Sequence, residues 1–126
     1  MAQAAVKVPE DVQGGAPTFA VLDRDHLARM TFGDRELERE ILQLFDRQSE
    51  LLLERMRISE PGAIATLAHT LKGSAVGIGA TRVARAAAEL ESVAQAKPGE
   101  SSRALGQLAQ TVEEARAEIG ALLRAH

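Results

Sequence analysis

The stretch Ala65-Thr66-Leu67-Ala68-His69-Thr70-Leu71-Lys72-Gly73-Ser74-Ala75-Val76-Gly77-Ile78-Gly79-Ala80 decides how this chain is read. At about 100° per residue, Ile64, Leu67, Ala68, Leu71, Ala75 and Ile78 fall on one stripe, the i, i+3, i+4, i+7 pattern of a buried helix face. His69 lies off that stripe, and Lys72, Gly73 and Val76, at i+3, i+4 and i+7, share its side. A glycine inside a helix costs about 1 kcal/mol relative to alanine. Gly73 is not a helix stop, because Ser74, Ala75 and Val76 continue the pattern. The sequence accepts a local penalty to keep the surface beside His69 bare.

Spacing alone leaves two readings of that surface open. In the first, His69 is an ordinary surface histidine and Gly73 lets a neighbouring helix pack close. In the second, His69 is a nucleophile that another macromolecule must reach. A free imidazole titrates near about 6.5, so at neutral pH one ring nitrogen keeps its lone pair. Lys72, one turn away, supplies a mobile positive charge and three donors suited to the oxygens of a phosphoryl group. Gly73 leaves room for a partner's backbone and Val76 adds apolar contact. Such a set suits in-line phosphoryl transfer between proteins, which rests on positioning and electrostatics.

The rest of the composition narrows the class. A chain of 126 residues is one domain, long enough to bury a core. It has no cysteine, which excludes disulfides, thiolate metal sites and cysteine nucleophiles and suits a cytoplasmic setting. The apolar fraction is 45%, yet the three aromatics are all phenylalanine. A core of Leu, Ile, Val and many alanines favours closely packed helices over a β-sandwich. The net charge of −3 offers no basic face for nucleic acid or an anionic membrane. No apolar run approaches the roughly 20 residues of a membrane span, and no signal peptide is expected.

Four long amphipathic segments and one short one follow from the periodicity. Residues 1–18, punctuated by Pro9, Gly14, Gly15 and Pro17, read as a flexible tail, unless Val6 and Val8 lie against the bundle or on a partner. Leu22 to Met30 reads as a short helix capped by Asp23, with Leu27 and Met30 inward and His26 solvated. Gly33 breaks the chain and Asp34 caps a helix to Arg57, a rod of roughly 36 Å. Its expected inner face is Leu37, Ile41, Leu44, Phe45, Gln48, Leu51, Leu52 and Met56. Leu42 and Leu53 fall off that face, against a second neighbour or in a docking patch. Pro61 suits the first turn of the helix that carries His69, with Ser59 or Glu60 near its cap. Gly77 and Gly79 bracket its stop.

Thr81 to Ala96 is the next helix, with Val83, Ala87, Leu90 and Ala94 inward. After the connector Lys97-Pro98-Gly99-Glu100, Ser101 or Ser102 caps the last helix. Its seam of Leu105, Leu108, Val112, Ala115, Ile119 and Leu122 packs within the chain rather than as a coiled-coil dimer. His126 is expected to be mobile. The fold implied is all-α, an antiparallel up-and-down four-helix bundle over residues 19–126 with a short N-terminal capping helix.

His69-Thr70-Leu71-Lys72-Gly73-Ser74-Ala75, followed by Gly77-Ile78-Gly79-Ala80, resembles the signature of histidine phosphotransfer (HPt) domains of multistep two-component phosphorelays. Leu90-Glu91 resembles part of the family's next helix, and Leu22-Asp23 and Gly33-Asp34 to Leu44-Phe45 its opening helices. The resemblance spans roughly residues 20 to 124. It implies a phosphoryl carrier without autokinase machinery, acting between receiver-domain aspartates. His69 would be the phosphoacceptor, Lys72 would steady the phosphate, and Gly73, with Val76 and Ala65, would form the receiver-docking surface. No cofactor or metal of its own is implied; Mg²⁺ would arrive with the receiver. The implied partners are receiver domains of response regulators, a hybrid histidine kinase, or both, met by a monomer. A helical adaptor that is never phosphorylated is the alternative. A metal- or haem-binding bundle ranks third, with three scattered histidines and no cysteine.

Overall fold

The computed structural model describes residues 21–125. The expected tail at 1–18, the alternative for Val6 and Val8, and the mobile His126 lie outside these residues. Among the described residues five helices follow one another: α1 Arg24–Met30, α2 Arg35–Arg57, α3 Pro61–Ile78, α4 Thr81–Ala96 and α5 Ser101–Ala125, with a 3₁₀ turn at Pro98–Glu100 before the last. No strand occurs among the described residues.

Local chemistry sets the boundaries. The Asp23 and Asp34 carboxylates each accept a backbone N–H three residues on, from His26 and Leu37, both at 3.0 Å. Pro61 opens α3, where its missing N–H is no loss, and Glu60 caps it without a side-chain bond. Gly79 ends it at φ 80°: its N–H bonds the Val76 carbonyl at 3.2 Å and the Ala80 N–H bonds that of Ala75 at 2.8 Å. The serine cap expected for α5 does not form. The 3₁₀ turn runs straight into the helix, the Ser101 N–H bonds the Pro98 carbonyl, and the Ser101 hydroxyl is buried without a partner.

Helices α2 to α5 form the antiparallel bundle. Arg39 reaches the Leu123 carbonyl at 3.0 Å and Arg116 reaches Asp46 at 2.8 Å, which fixes α2 and α5 in opposite directions. The core is aliphatic: Leu42, Met56, Leu71, Leu90, Leu108 and Ile119 are fully enclosed. Ala68, Ala75, Ala87 and Ala115 are also sealed, and their small side chains let helix axes approach closely. The last helix packs inside the chain through Leu108, Val112, Ala115, Ile119 and Leu122, with Ala104 buried and Leu105 at the edge of the core.

The inner face of α2 differs from the expected one. Leu42, Phe45, Ser49, Leu52, Leu53 and Met56 are buried, an arc turned by roughly 80° from the expected stripe. Leu42 and Leu53 therefore belong to the core, while Leu44 and Leu51 are more than half exposed. The helix carries apolar residues on two arcs, and Asp46 and Glu50 pair with Arg116 of α5 along the border of the one that is buried. Ser49 fits the interior because its hydroxyl donates to the Asp46 carbonyl at 3.1 Å.

Helix α1 is held across the end of the bundle. The Asp23 N–H donates to the Gly79 carbonyl at 2.8 Å and His26 Nε2 donates to the Gly77 carbonyl at 3.1 Å. His26 is thus a bridging residue, not a solvated one. Leu27 points inward as expected, whereas Met30 is half exposed. A Cβ on Gly79 would stand 2.9 Å from the Asp23 carbonyl oxygen, in a left-handed backbone that already costs roughly 1–2 kcal/mol for an L-residue. Gly79→Ala should therefore lose about 2 kcal/mol or more of stability, read as a lower urea midpoint.

Candidate functional site

His69 sits midway along α3 on the side turned away from Ala68, Leu71 and Ala75. Its side chain is 65% exposed. One turn on, Gly73 faces open space: an added Cβ would meet nothing within 4 Å. The first reading of Gly73, close approach of a neighbouring helix, is therefore wrong. Val76, a turn further, is also mostly exposed. Ala65 is different. It is buried, and it lines the floor of a depression rather than standing on an exposed surface.

The residue that organises the site is on the next helix. Glu91 of α4 accepts from His69 Nδ1 through Oε2 at 3.0 Å and pairs with Lys72 Nζ through Oε1 at 3.3 Å. Glu91 was quoted in the family resemblance but given no role. The signal for it is the hairpin: His69 and Glu91 each lie eleven residues from Ala80, where the chain reverses. Two antiparallel helices joined by so tight a turn place such residues opposite one another. Leu90 and Ala94 point into the core, which leaves Glu91 on the flank toward α3.

The charges follow from these contacts. Partial desolvation pushes the Glu91 carboxyl up, but the hydrogen bond and charge of Lys72, then the charge and hydrogen bond of His69, outweigh it. The carboxyl is held below its ordinary value of 4.5. An ionised carboxylate only accepts, so Nδ1 carries the ring proton in this contact. In the neutral ring Nε2 is then the nitrogen with a free lone pair. The arrangement offers an exposed ring nitrogen with a free lone pair and an ammonium one turn along, held on the same carboxylate.

A depression of about 370 Å³, lined by Gly62, Ala65, Thr66, His69, Glu91 and Gln95, opens next to the imidazole. A larger groove of about 640 Å³ runs between α2 and α5, lined by Leu53, Val112 and Arg116 among others. Neither His69 nor Glu91 reaches it, so size does not mark the site. Among the described residues no three His, Cys, Asp or Glu side chains cluster to hold a metal, and no helix is long and apolar enough to cross a membrane.

The site is thus an exposed imidazole on the flank of an antiparallel helical bundle, paired with a carboxylate of the next helix. The model of the Hpt domain family matches residues 36–123, and the chain belongs to that family. Its fold is shared with the X-ray structure of a candidate histidine-containing phosphotransfer protein from rice, at a TM-score of 0.73 and 15% identity over 83% of this chain and 81% of that one. No curated protein matches the chain. Hpt domains serve histidine phosphotransfer in phosphorelays, as phosphocarriers rather than kinases.

The depressed Glu91 carboxyl gives a pH prediction. A group whose folded value is lowered contributes stability above its unfolded value, here near 4.5, and loses that contribution as pH falls through the folded value. In Lys72→Ala the carboxyl resonance of Glu91 should titrate at higher pH than in the wild type. The part of the stability lost on acidification that belongs to this group should shrink with it.

Proposed function

We propose that this domain carries a phosphoryl group between receiver-domain aspartates through His69. The supporting observation is the exposed imidazole beside the vacant surface at Gly73. In the uptake step Nε2 attacks the phosphorus of an aspartyl phosphate. The N–P bond forms as the P–O bond breaks, and its electrons return to the aspartate carboxylate. The ring, still protonated at Nδ1, gains a positive charge that faces Glu91. Lys72 neutralises the phosphoryl oxygens on the ring. Passing the group on reverses these changes at a second receiver.

In this reading Gly73 and Val76 meet the receiver, and Ala65 shapes the depression beside the imidazole. Mg²⁺ is brought by the receiver. The partners are receivers of response regulators, a hybrid histidine kinase, or both, and neither nucleic acid nor membrane takes part. The lack of cysteine supports action in the cytoplasm, and packing of the α5 seam inside the bundle supports a monomer.

Incubation with a phosphorylated receiver should place acid-labile phosphate on the wild type and none on His69→Gln. Equal labelling of the two would sink the proposal, and absence of any adduct would leave a helical adaptor. Lys72→Ala should slow uptake by roughly tenfold, the scale of one charge contact on the transferring group. Gly73→Ala should raise stability by up to about 1 kcal/mol, because it gains helix propensity and meets no neighbour. Gly73→Leu should slow transfer by something on the order of a hundredfold by displacing the receiver. Thermal melts beside transfer rates would separate the two effects.

A further inference from the structure

The carboxylate of Glu91 holds two groups whose tasks differ. His69 must keep its proton at Nδ1, which Oε2 ensures. Lys72 must reach the phosphoryl group at Nε2, yet its ammonium rests 3.3 Å from Oε1 of the carboxylate whose other oxygen holds Nδ1. The two side chains are 34% and 22% exposed, so the pair lies against the α3–α4 surface rather than reaching freely into solvent. An incoming phosphoryl group and Glu91 thus compete for one cation.

We propose that Glu91 is a positioning residue that sets the lifetime of phosphorylated His69 by withholding Lys72 from the phosphoryl oxygens. This rests on the reading of His69 as phosphoacceptor and adds a control to it. A phosphoryl group on nitrogen is dianionic, whereas a loose, metaphosphate-like transition state carries less charge on its oxygens. A cation seated on those oxygens therefore stabilises the phosphorylated state more than the transition state for its loss, and prolongs it. By retaining part of the hold on Lys72, Glu91 keeps the phosphorylated ring short-lived and ready to give up its load. The carrier gains speed of release at the expense of storage.

Glu91→Gln isolates the effect. Its amide oxygen still accepts from Nδ1, so the ring proton stays in place, but the negative charge that detains Lys72 is gone and the amide N–H₂ faces the ammonium instead. Spontaneous loss of phosphate is the measurable step: water attacks phosphorus, the N–P bond breaks with its electrons returning to Nε2, and the proton of the attacking water leaves with inorganic phosphate or to solvent.

The experiment uses the full chain and phosphoramidate as a small donor, whose own P–N bond breaks to release ammonia as Nε2 is phosphorylated. After removal of the donor, decay of the adduct is followed at neutral pH by phosphorus NMR and intact mass in wild type, Glu91→Gln, Lys72→Ala and the double variant. Urea unfolding of each variant accompanies the measurement. Glu91→Gln should lengthen the lifetime roughly two- to fivefold, the scale of a partly exposed ion pair. Lys72→Ala should shorten it, and Glu91→Gln should then add nothing in the Lys72→Ala background. Equal lifetimes of wild type and Glu91→Gln would overturn the inference while leaving His69 as acceptor. Lengthening that persists without Lys72 would also overturn it, since the effect would then run through Nδ1. Failure of the wild type to form any adduct would remove the acceptor reading itself.

Discussion

The reversal between α3 and α4 is the constraint on which the rest of the molecule turns. Gly79 takes a left-handed backbone that closes the last turn of α3, and Thr81 already begins α4. So short a connection leaves the two helices almost no freedom to slide. Residues at equal distances from Ala80 lie at the same level of the two helices, and on their shared flank this register brings His69 and Glu91 together. The same reversal supplies the carbonyls of Gly77 and Gly79 to which α1 is tied. One left-handed glycine thus governs both the end of the bundle and the chemistry at its flank.

The interior and the surface of α3 obey opposite demands. Inward, Ala68, Leu71 and Ala75 are sealed against neighbouring helices, which denies the backbone any room to shift. Outward, His69 and Gly73 stand in open solvent. In the proposed relay, rigidity on one side serves the imidazole on the other, because an in-line reaction between two proteins depends on orientation set before they meet. The scaffold spends its packing on holding a direction, not on enclosing a substrate. The groove between α2 and α5 lies away from the histidine.

Much of this was legible from the residues. Aspartates at 23 and 34, Pro61 and Gly79 mark helix ends by local chemistry, and each acts as the sequence predicts. The exposed side of α3 was also readable, since only one of its arcs is continuously apolar. The face of α2 was not. Leu44 and Leu51 are as apolar as Leu42 and Leu53, and periodicity cannot say which pair meets a neighbour. Burial of Ser49 adds to the difficulty, because a serine satisfied by its own helix carries no apolar signal. The serine cap of α5 failed for a related reason: a local motif yields when the preceding turn is itself helical.

By itself, the sequence determined the all-helical class, the antiparallel order enforced by short connectors, and the bare surface around His69. These depend on neighbours within a few residues, where backbone geometry translates spacing into position. Tertiary structure decided which arc of α2 is interior, that Ala65 is covered, that His26 binds α1 to the end of α3, and that one carboxylate joins His69 to Lys72. Each of those requires two segments distant along the chain to meet, and the free energy that settles such a meeting belongs to both partners at once. A single helix, however carefully read, contains only half of it.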